Sequence, residues 1–216
     1  MPLPWALMVA HRKQPVQDAA LALLIDSVKK NTPPELYEAG EIVIDDRPDI
    51  CPYRKWNEMC AKTKTAINVV FANNDMVMLP GWHCMVTATK PRMVVTGYLI
   101  EPGIVAVNPL NVQRDFGGNP ADYRADEAIK FAATVSAHTQ PEIAKNSGWY
   151  MPCAFDREWF LSVGGYDIGA GQFPNPLDRL FWDKAARIGV DFVRVNSWAY
   201  HFQRLSQRPE GQAKNN

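Results

Sequence analysis

The stretch that decides the fold runs Ile67-Asn68-Val69-Val70-Phe71-Ala72-Asn73-Asn74-Asp75. Residues 67–72 are almost continuously apolar, which is typical of a strand buried on both faces in a parallel sheet. The run ends abruptly in two amides and a carboxylate. Ligands of open α/β sheets bind at the carboxyl ends of the strands, so a site is expected at this polar end.

The chain before this stretch alternates strand and helix signals. Trp5–Ala10 is a continuous apolar run, and apolar residues at helical spacing predict a helix over Gln17–Lys30. Glu41–Ile44 is a further apolar strand. A strand, a helix and a strand in this order predict parallel pairing with a right-handed crossover. The fold class that follows is α/β, with a mostly parallel central sheet flanked by helices.

Further elements are predicted downstream, and the length of 216 residues suits one domain. The remaining predicted helices are Arg54–Thr65, Ala125–Ala137, Asp156–Val163 and Pro176–Ile188, and the remaining strands are Arg92–Ile100 and Val190–Val195. Residues 101–147 are interrupted by Gly and Pro, and we interpret them as a variable excursion before the last third, placed over the site. The polar tail, residues 206–216, is predicted to be disordered.

Charge and cysteine content narrow the class of protein. Lys and Arg number 23, as do Asp and Glu, so no global field favours nucleic acid, membrane or acidic substrates. The four cysteines form no CxxC pair and no zinc-like spacing, which predicts free thiols in a reducing compartment. The sequence shows no signal peptide with a cleavage site and no membrane-spanning run, so a cytoplasmic protein is predicted.

Polar residues at two strand ends are the first candidates for chemistry. Asn73, Asn74 and Asp75 suit a divalent cation bound to a diphosphate, since phosphate oxygens and water supply the other ligands. The amides also suit sugar or ribose hydroxyls, and a simple polar turn is the structural alternative. Asp45 and Asp46 end the preceding strand, where they either accept hydrogen bonds from a nucleobase or ribose or form another turn.

Candidates in the second half of the chain each have two interpretations. Asp178 opens a predicted helix, where its carboxylate caps the helix or serves as a general base. His201 follows a predicted strand among aromatic residues and is a core histidine or a metal ligand. Trp149 and Tyr150 have aromatic rings suited to stacking on a sugar or a flipped base, and packing in the core is their structural alternative. Asn57, on an earlier helix, faces a nucleotide or the solvent.

In their order along the chain, these pieces resemble the family 2 glycosyltransferases and their GT-A relatives. The matching segments are Trp5–His11, Glu41–Arg47, Trp56-Asn57, Val69–Met76, Pro80-Gly81-Trp82, Gly164-Gly165-Tyr166-Asp167, Leu177-Asp178 with Gly189 downstream, and His201. The strand-ending acid motif and the Gly-Gly-aromatic-Asp segment are the most specific. The segments cover both ends of the chain and spare the middle excursion.

The resemblance implies a single GT-A (Rossmann-like) domain that binds a nucleoside-diphosphate sugar, above all a UDP-sugar, with Mn²⁺ or Mg²⁺. It implies donor contacts at Ala10, His11, Asp45, Asp46, Asn57, Asn73 and Asn74, metal contacts at Asp75 and His201, and a catalytic base at Asp178. The family's acidic motif commonly runs Asp-x-Asp, and here Asn73 stands at its first acid. Leu177 likewise replaces the Glu of the family's Glu-Asp pair. The implied reaction is an inverting, metal-assisted sugar transfer of the hexosyltransferase kind.

The resemblance also divides the domain, residues 1–205, by function. Residues 1–100 are expected to bind the nucleotide-sugar, residues 101–147 to lie on the acceptor side, and residues 148–205 to carry acceptor and catalytic groups. Trp149 and Tyr150 are the expected acceptor contacts. The acceptor is a glycan intermediate, another hydroxyl, or a hydroxylated DNA base of the kind some phage enzymes modify, and the zero net charge disfavours DNA.

Two other functions remain open. A sugar-nucleotide nucleotidyltransferase shares the β-α-β opening but usually has a glycine-rich basic loop after the first strand, whereas this chain has His11-Arg12-Lys13-Gln14-Pro15. A non-catalytic carbohydrate- or nucleotide-binding module would explain the missing acids. The presence of both Asp178 and His201 favours the transferase.

Overall fold

The computed structural model describes residues 4–104, 111–139, 142–143, 151–169, 177–203 and 205, without the side chains of 142–143 and 177–178. In these ranges the helices are α1 (Pro15–Asn31), α2 (Pro34–Glu38), α3 (Pro52–Lys62), α4 (Cys84–Ala88), α5 (Ala125–Ser136), α6 (Arg157–Ser162) and α7 (Leu177–Arg187). The strands are β1 (Trp5–Ala10), β2 (Gly40–Asp45), β3 (Asn68–Asn73), β4 (Met76–Met78), β5 (Met93–Glu101), β6 (Val112–Gln113), β7 (Glu142–Ile143), β8 (Cys153–Asp156) and β9 (Asp191–His201). The predicted tail, residues 206–216, lies outside the described residues.

The strands form one sheet in the order β2-β1-β3-β8-β5-β9-β4, with β6 beside β5 and β7 beside β9. The opening strands β2, β1 and β3 pair in parallel, and so do β5 and β9. β8 lies antiparallel between β3 and β5, and β4 lies antiparallel to β9. The predicted α/β class, with helices flanking a central sheet, is confirmed.

The central strands are buried on both faces, as their apolar runs predict. Along β1, Ala6 and Met8 pack with Trp56 of α3, while Leu7 and Val9 pack with the α1 side of the core. Successive side chains of a strand point to opposite faces, so one continuous apolar run supplies both layers. In the first layer, the Trp56 ring stacks on Phe71 of β3 at a centroid distance of 5.3 Å. This packing holds α3 against the carboxyl ends of β1 and β3.

Strand β9 is longer than predicted. The predicted strand ends at Val195, but the observed strand continues through Asn196 and Ser197 to His201. Both side chains have partners inside the fold, since Ser197 Oγ donates to the Trp82 carbonyl at 3.0 Å and the Asn196 amide donates to the Ser136 carbonyl at 2.9 Å. These hydrogen bonds satisfy the polar side chains of Asn196 and Ser197 inside the fold. The strand can therefore continue past them and bring His201 to the polar edge of the sheet.

The strand registers bring the polar ends together. Ala10 at the end of β1 is the partner of both Asp45 in β2 and Asn73 in β3. On the other side, Ile100 of β5 pairs with Tyr200 and Met76 of β4 pairs with His201. The segment Asn73-Asn74-Asp75 joins β3 to β4 and so connects the two groups of strand ends.

Candidate active site

Asp75, His201 and Glu101 form a buried charged cluster at this edge. His201 lies between the two carboxylates, with Nδ1 at 2.8 Å from Glu101 Oε1 and Nε2 at 3.5 Å from Asp75 Oδ1. Asp75 and Glu101 are both buried, and the His201 side chain is 18% exposed. The backbone fixes Asp75 further, because its carbonyl accepts the Phe202 N–H at 3.0 Å. The structure thus brings together the two residues that the sequence suggested as metal ligands.

The electrostatics of the cluster favour its charged forms. Burial by itself lowers the pKa of His201, but Asp75 and Glu101 outweigh it and raise that pKa to about 10. Burial opposes ionisation of the two carboxyls as well, yet their contacts with His201 leave the pKa of each below its ordinary value. Without a cation, a positively charged ring therefore faces two carboxylates, and binding of a metal at Nε2 would release the proton of that nitrogen.

The residues present fit a divalent cation bound jointly with a diphosphate. Asp75 Oδ1 is buried and has no hydrogen-bond partner among the described residues. That orphaned oxygen faces Nε2 of His201, and a carboxylate and an imidazole are suitable ligands for Mn²⁺. The described residues include no group of three His, Cys, Asp or Glu side chains able to hold a metal. The donor set therefore suits a cation that takes its remaining ligands from phosphate and water.

Asn74 belongs to a hydrogen-bond network behind the turn. Its Nδ2 donates to His11 Nδ1 and to Gln17 Oε1, both at 3.0 Å. His11 is buried, and its Nε2 contacts Asp18 Oδ1 at 2.8 Å. Because Nδ1 accepts from the amide, Nε2 is the nitrogen that donates to the carboxylate. His11 and Asn74 therefore fix the shape of the junction between β1 and β3.

Asn73 differs from Asn74 in its surroundings. It is the last residue of β3, half-buried, beside Ala10. Within the described part of the chain, no residue hydrogen-bonds its side-chain amide. Of the two amides, Asn73 is therefore the one available to a ligand.

The carboxylate of Asp45 is already paired. Arg47 donates from Nε to both of its oxygens, at 2.9 and 3.0 Å, and this hydrogen bonding lowers the pKa of Asp45. Lys55 from α3 donates to the backbone carbonyls of His11 at 2.7 Å and Asp45 at 3.2 Å, and so ties β1 to β2. Asp46, in contrast, has a side chain that is 47% exposed and pairs with Lys13 at 2.6 Å. Of the two acids, Asp45 is the one at the strand edge beside Ala10.

The contacts of Asn57 point to a role other than donor binding. Its Oδ1 accepts the Tyr166 N–H at 2.9 Å, and its Nδ2 donates to the Tyr166 carbonyl at 2.8 Å. Gly165 leaves room for this pairing, since a Cβ there would lie 2.5 Å from Asn57 Oδ1, and its φ of +60° suits glycine. Asn57 therefore holds the segment Gly164-Gly165-Tyr166-Asp167 against α3. This contact joins two of the segments that resemble the family, since Asn57 belongs to one and Tyr166 to the other.

Replacing Asn57 by Ala is expected to lower the free energy of unfolding by about 2–4 kcal/mol. The change leaves a buried N–H and a buried carbonyl of Tyr166 without partners, and each such group costs about 1–3 kcal/mol. Urea unfolding followed by circular dichroism measures the loss. Arg54→Ala, at an exposed position of the same helix, is the control and should stay within about 0.5 kcal/mol of the parent. Unchanged stability in Asn57→Ala would contradict this role of Asn57.

Asp178 lies in the first turn of α7, as predicted, and its side chain is outside the described residues. Phe181, Trp182 and Ala185 of the same helix are buried in the core. Position 178 precedes them by three, four and seven residues, the spacing of one helix face. Trp149 and Tyr150 lie outside the described residues.

Glu101 is the site residue that the sequence did not reveal. It ends the strand pattern of β5 directly before Pro102-Gly103, where an acid suggests a turn. The available signal was its place at the end of a predicted strand, the same signal that marked Asp45 and Asn73. What the sequence lacked was the parallel pairing of β5 with β9.

Solved structures of known proteins share this architecture. GalNAc-T7 with UDP, GalNAc and Mn²⁺ superposes with a TM-score of 0.60 and 13% identity, over 93% of this chain and 44% of that one. S. aureus TarS 1–349 superposes with a TM-score of 0.57 and 11% identity, over 92% of this chain and 60% of that one. A197 from STIV superposes with a TM-score of 0.52 and 15% identity, over 92% of this chain and 85% of that one. All three are GT-A type glycosyltransferases. No family model and no curated protein sequence matches the chain.

The chain has the GT-A fold, which confirms the expected Rossmann-like single-domain architecture. At 11–15% identity the similarity establishes the fold. The chain spans less than half of the GalNAc-T7 structure and 60% of the TarS structure. Among the described helices, none has the length and apolar character to cross a membrane.

Proposed function

We propose that this protein is a glycosyltransferase that moves a sugar from a UDP-sugar to an acceptor hydroxyl with inversion. The observation that carries the proposal is the Asp75–His201 pair at the carboxyl edge of a GT-A sheet, in which the buried Asp75 Oδ1 lies 3.5 Å from Nε2 and accepts no hydrogen bond from the described residues. Ligands of such sheets bind at this edge.

The donor would lie along the ends of β1, β2 and β3. Ala10 would let the donor approach the chain closely because it has no bulky side chain, and Asn73 would offer ribose or sugar hydroxyls an amide that no described residue engages. Asp45 is proposed to contact the uracil or ribose, either while it keeps its hydrogen bonds with Arg47 or in place of them. Asp46 is the neighbouring alternative for this contact. His11 and Asn74 would support this surface through their network. The UDP in the GalNAc-T7 structure supports the choice of nucleotide.

Asp75 and His201 would hold Mn²⁺ or Mg²⁺, and the Mn²⁺ in the GalNAc-T7 structure supports this assignment. When bound, the cation would offset the charge that develops on the departing diphosphate. Asp75 would supply a charged oxygen and His201 a ring nitrogen. Burial of Asp75 and partial burial of His201 would limit the water that competes for the ligand positions.

The transfer itself needs a base and an acceptor. The acceptor hydroxyl gives its proton to the Asp178 carboxylate while its oxygen forms a bond to the anomeric carbon. The bond from that carbon to the diphosphate oxygen breaks, and UDP leaves with the electron pair. Attack opposite the leaving group inverts the anomeric centre. The helix dipole favours negative side chains in the first turn of a helix, which supports Asp178 as the base.

The acceptor is proposed to be a glycan intermediate or another hydroxyl compound, contacted by Trp149 and Tyr150 from the half formed by residues 148–205. The balanced charge of the chain disfavours a DNA acceptor. Among the described residues, Cys51, Cys60, Cys84 and Cys153 form no disulfide, which supports a reducing, cytoplasmic location.

A second candidate function is donor binding without transfer. The observation in its favour is Asn73 at the position of an acid, which leaves Asp75 as the one carboxylate of the strand-end motif. A binding module would retain UDP-sugar affinity and lack turnover.

Thermal unfolding with UDP tests the donor site. The melting temperature should rise in UDP with Mn²⁺ and rise less in either alone, because a ligand that binds the folded state stabilises it by about 2.7 kcal/mol at 100 times its Kd. A panel of other nucleoside diphosphates serves as the control for the base. No stabilisation by any of them, with or without Mn²⁺, would contradict both candidate functions.

A further inference from the structure

We propose that Glu101 is a positioning residue that orients the His201 ring so that Nε2 faces Asp75 and the cation site. The effect of Glu101 on cation binding rests on the proposed function. The orientation itself rests on contacts within the chain.

The contact between Glu101 and His201 is built into the sheet. β5 and β9 run parallel, and pairing of Ile100 with Tyr200 places the next residues, Glu101 and His201, side by side at the strand ends. Glu101 Oε1 lies 2.8 Å from His201 Nδ1. Glu101 is 5% exposed, and its Oε2 accepts a hydrogen bond from the Asn111 amide at 3.0 Å. Both of its oxygens are therefore engaged.

The direction of this hydrogen bond follows from the groups involved. A carboxylate accepts, so Nδ1 of His201 is the donor and carries a proton. Nε2 is then the nitrogen left to face Asp75 Oδ1, at 3.5 Å. A half-turn of the ring would break the Nδ1 bond and leave a buried carboxylate with one partner fewer, which is costly. Glu101 thus selects one of two ring orientations.

Metal-ligating histidines commonly donate their second ring nitrogen to a carboxylate, which fixes the ring and raises its basicity. Losing such a partner lowers metal affinity about 10–100-fold. Glu101 has the geometry of that partner, on the side of the ring away from Asp75. It is expected to set the affinity for the cation without contacting it.

Glu101→Gln tests the inference, because Gln keeps the size of the side chain and removes its charge. We expect Mn²⁺ affinity in the presence of UDP, measured by electron paramagnetic resonance, to fall about 10–100-fold. In histidine-selective nitrogen NMR of the metal-free protein, the downfield Nδ1–H signal of His201 should move upfield or disappear. Glu127→Gln, an exposed carboxylate on α5, is the matched control and should change neither measurement.

Circular dichroism and thermal unfolding show whether Glu101→Gln folds. If it does not, Asn111→Ala provides the second variant, since it removes a single donor to Glu101 and should weaken Mn²⁺ binding to a smaller degree. Wild-type Mn²⁺ affinity in a folded Glu101→Gln protein, or a wild-type NMR spectrum with unprotonated Nδ1, would overturn the inference. If the parent protein released no UDP from any donor while the Nδ1–H signal depended on Glu101, the proposed function would fail and the orientation would stand.

Discussion

Asp178→Asn is expected to lower the rate of sugar transfer about 10²- to 10⁴-fold, the usual contribution of a general base. Asn preserves the size of the side chain but cannot accept the proton of the acceptor hydroxyl. In the proposed site the UDP-sugar lies at the strand ends, so its affinity should stay within about twofold of the parent, a change worth less than 0.5 kcal/mol. Steady-state kinetics at saturating donor, together with donor titration by calorimetry, separate the two effects.

Asp183→Asn, one and a half turns further along α7, is the matched control. Its carboxylate lies 3.9 Å from Arg179 in a surface ion pair with a helical spacing of four, and such pairs contribute little to stability. The control should retain the parental rate. Full activity in a folded Asp178→Asn protein would show that Asp178 is not the general base, and it would not affect the proposed donor site.

Asp75→Asn is expected to reduce Mn²⁺ affinity in the presence of UDP by about 100-fold or more, and activity with it. The Asp75 oxygen facing His201 is buried and accepts no hydrogen bond from the described residues, so it is placed to bind a cation. A 100-fold loss of affinity corresponds to about 2.7 kcal/mol, at about 1.4 kcal/mol per tenfold. Titration of Mn²⁺ followed by electron paramagnetic resonance gives the affinity, and UDP release gives the activity.

The control for Asp75 is Asp191→Asn, at the exposed amino end of the strand that carries His201. That position lies at the opposite edge of the sheet, so Mn²⁺ affinity should be unchanged. If Asp75→Asn bound Mn²⁺ and UDP as the parent does, the cation site would have to be elsewhere.

The sequence predicted the framework of the site because that framework follows from local patterns. Apolar runs defined β1 and β3, and the polar residues after them marked the edge where Ala10, Asp45 and Asn73 meet in register. Asp75 and His201 were suggested as partners by resemblance, and the structure places them 3.5 Å apart.

Other features depend on contacts between distant segments, which local patterns do not encode. The place of β8 between β3 and β5, and the pairing of β5 with β9 that brings Glu101 to His201, are properties of the folded sheet. The amide of Asn57 looked suited to a nucleotide, but the turn at Gly165 occupies it. Asp45 was treated as an open acceptor, although Arg47 two residues later pairs with it.

The most direct test of the central claim is UDP release by the wild-type protein from a panel of UDP-sugars with Mn²⁺ and a library of glycan acceptors. The account predicts UDP release from at least one donor, abolished by chelation and reduced by Asp178→Asn. UDP-sugar binding without release of UDP from any donor in the panel would contradict it, and would identify the protein as a binding module with the GT-A fold.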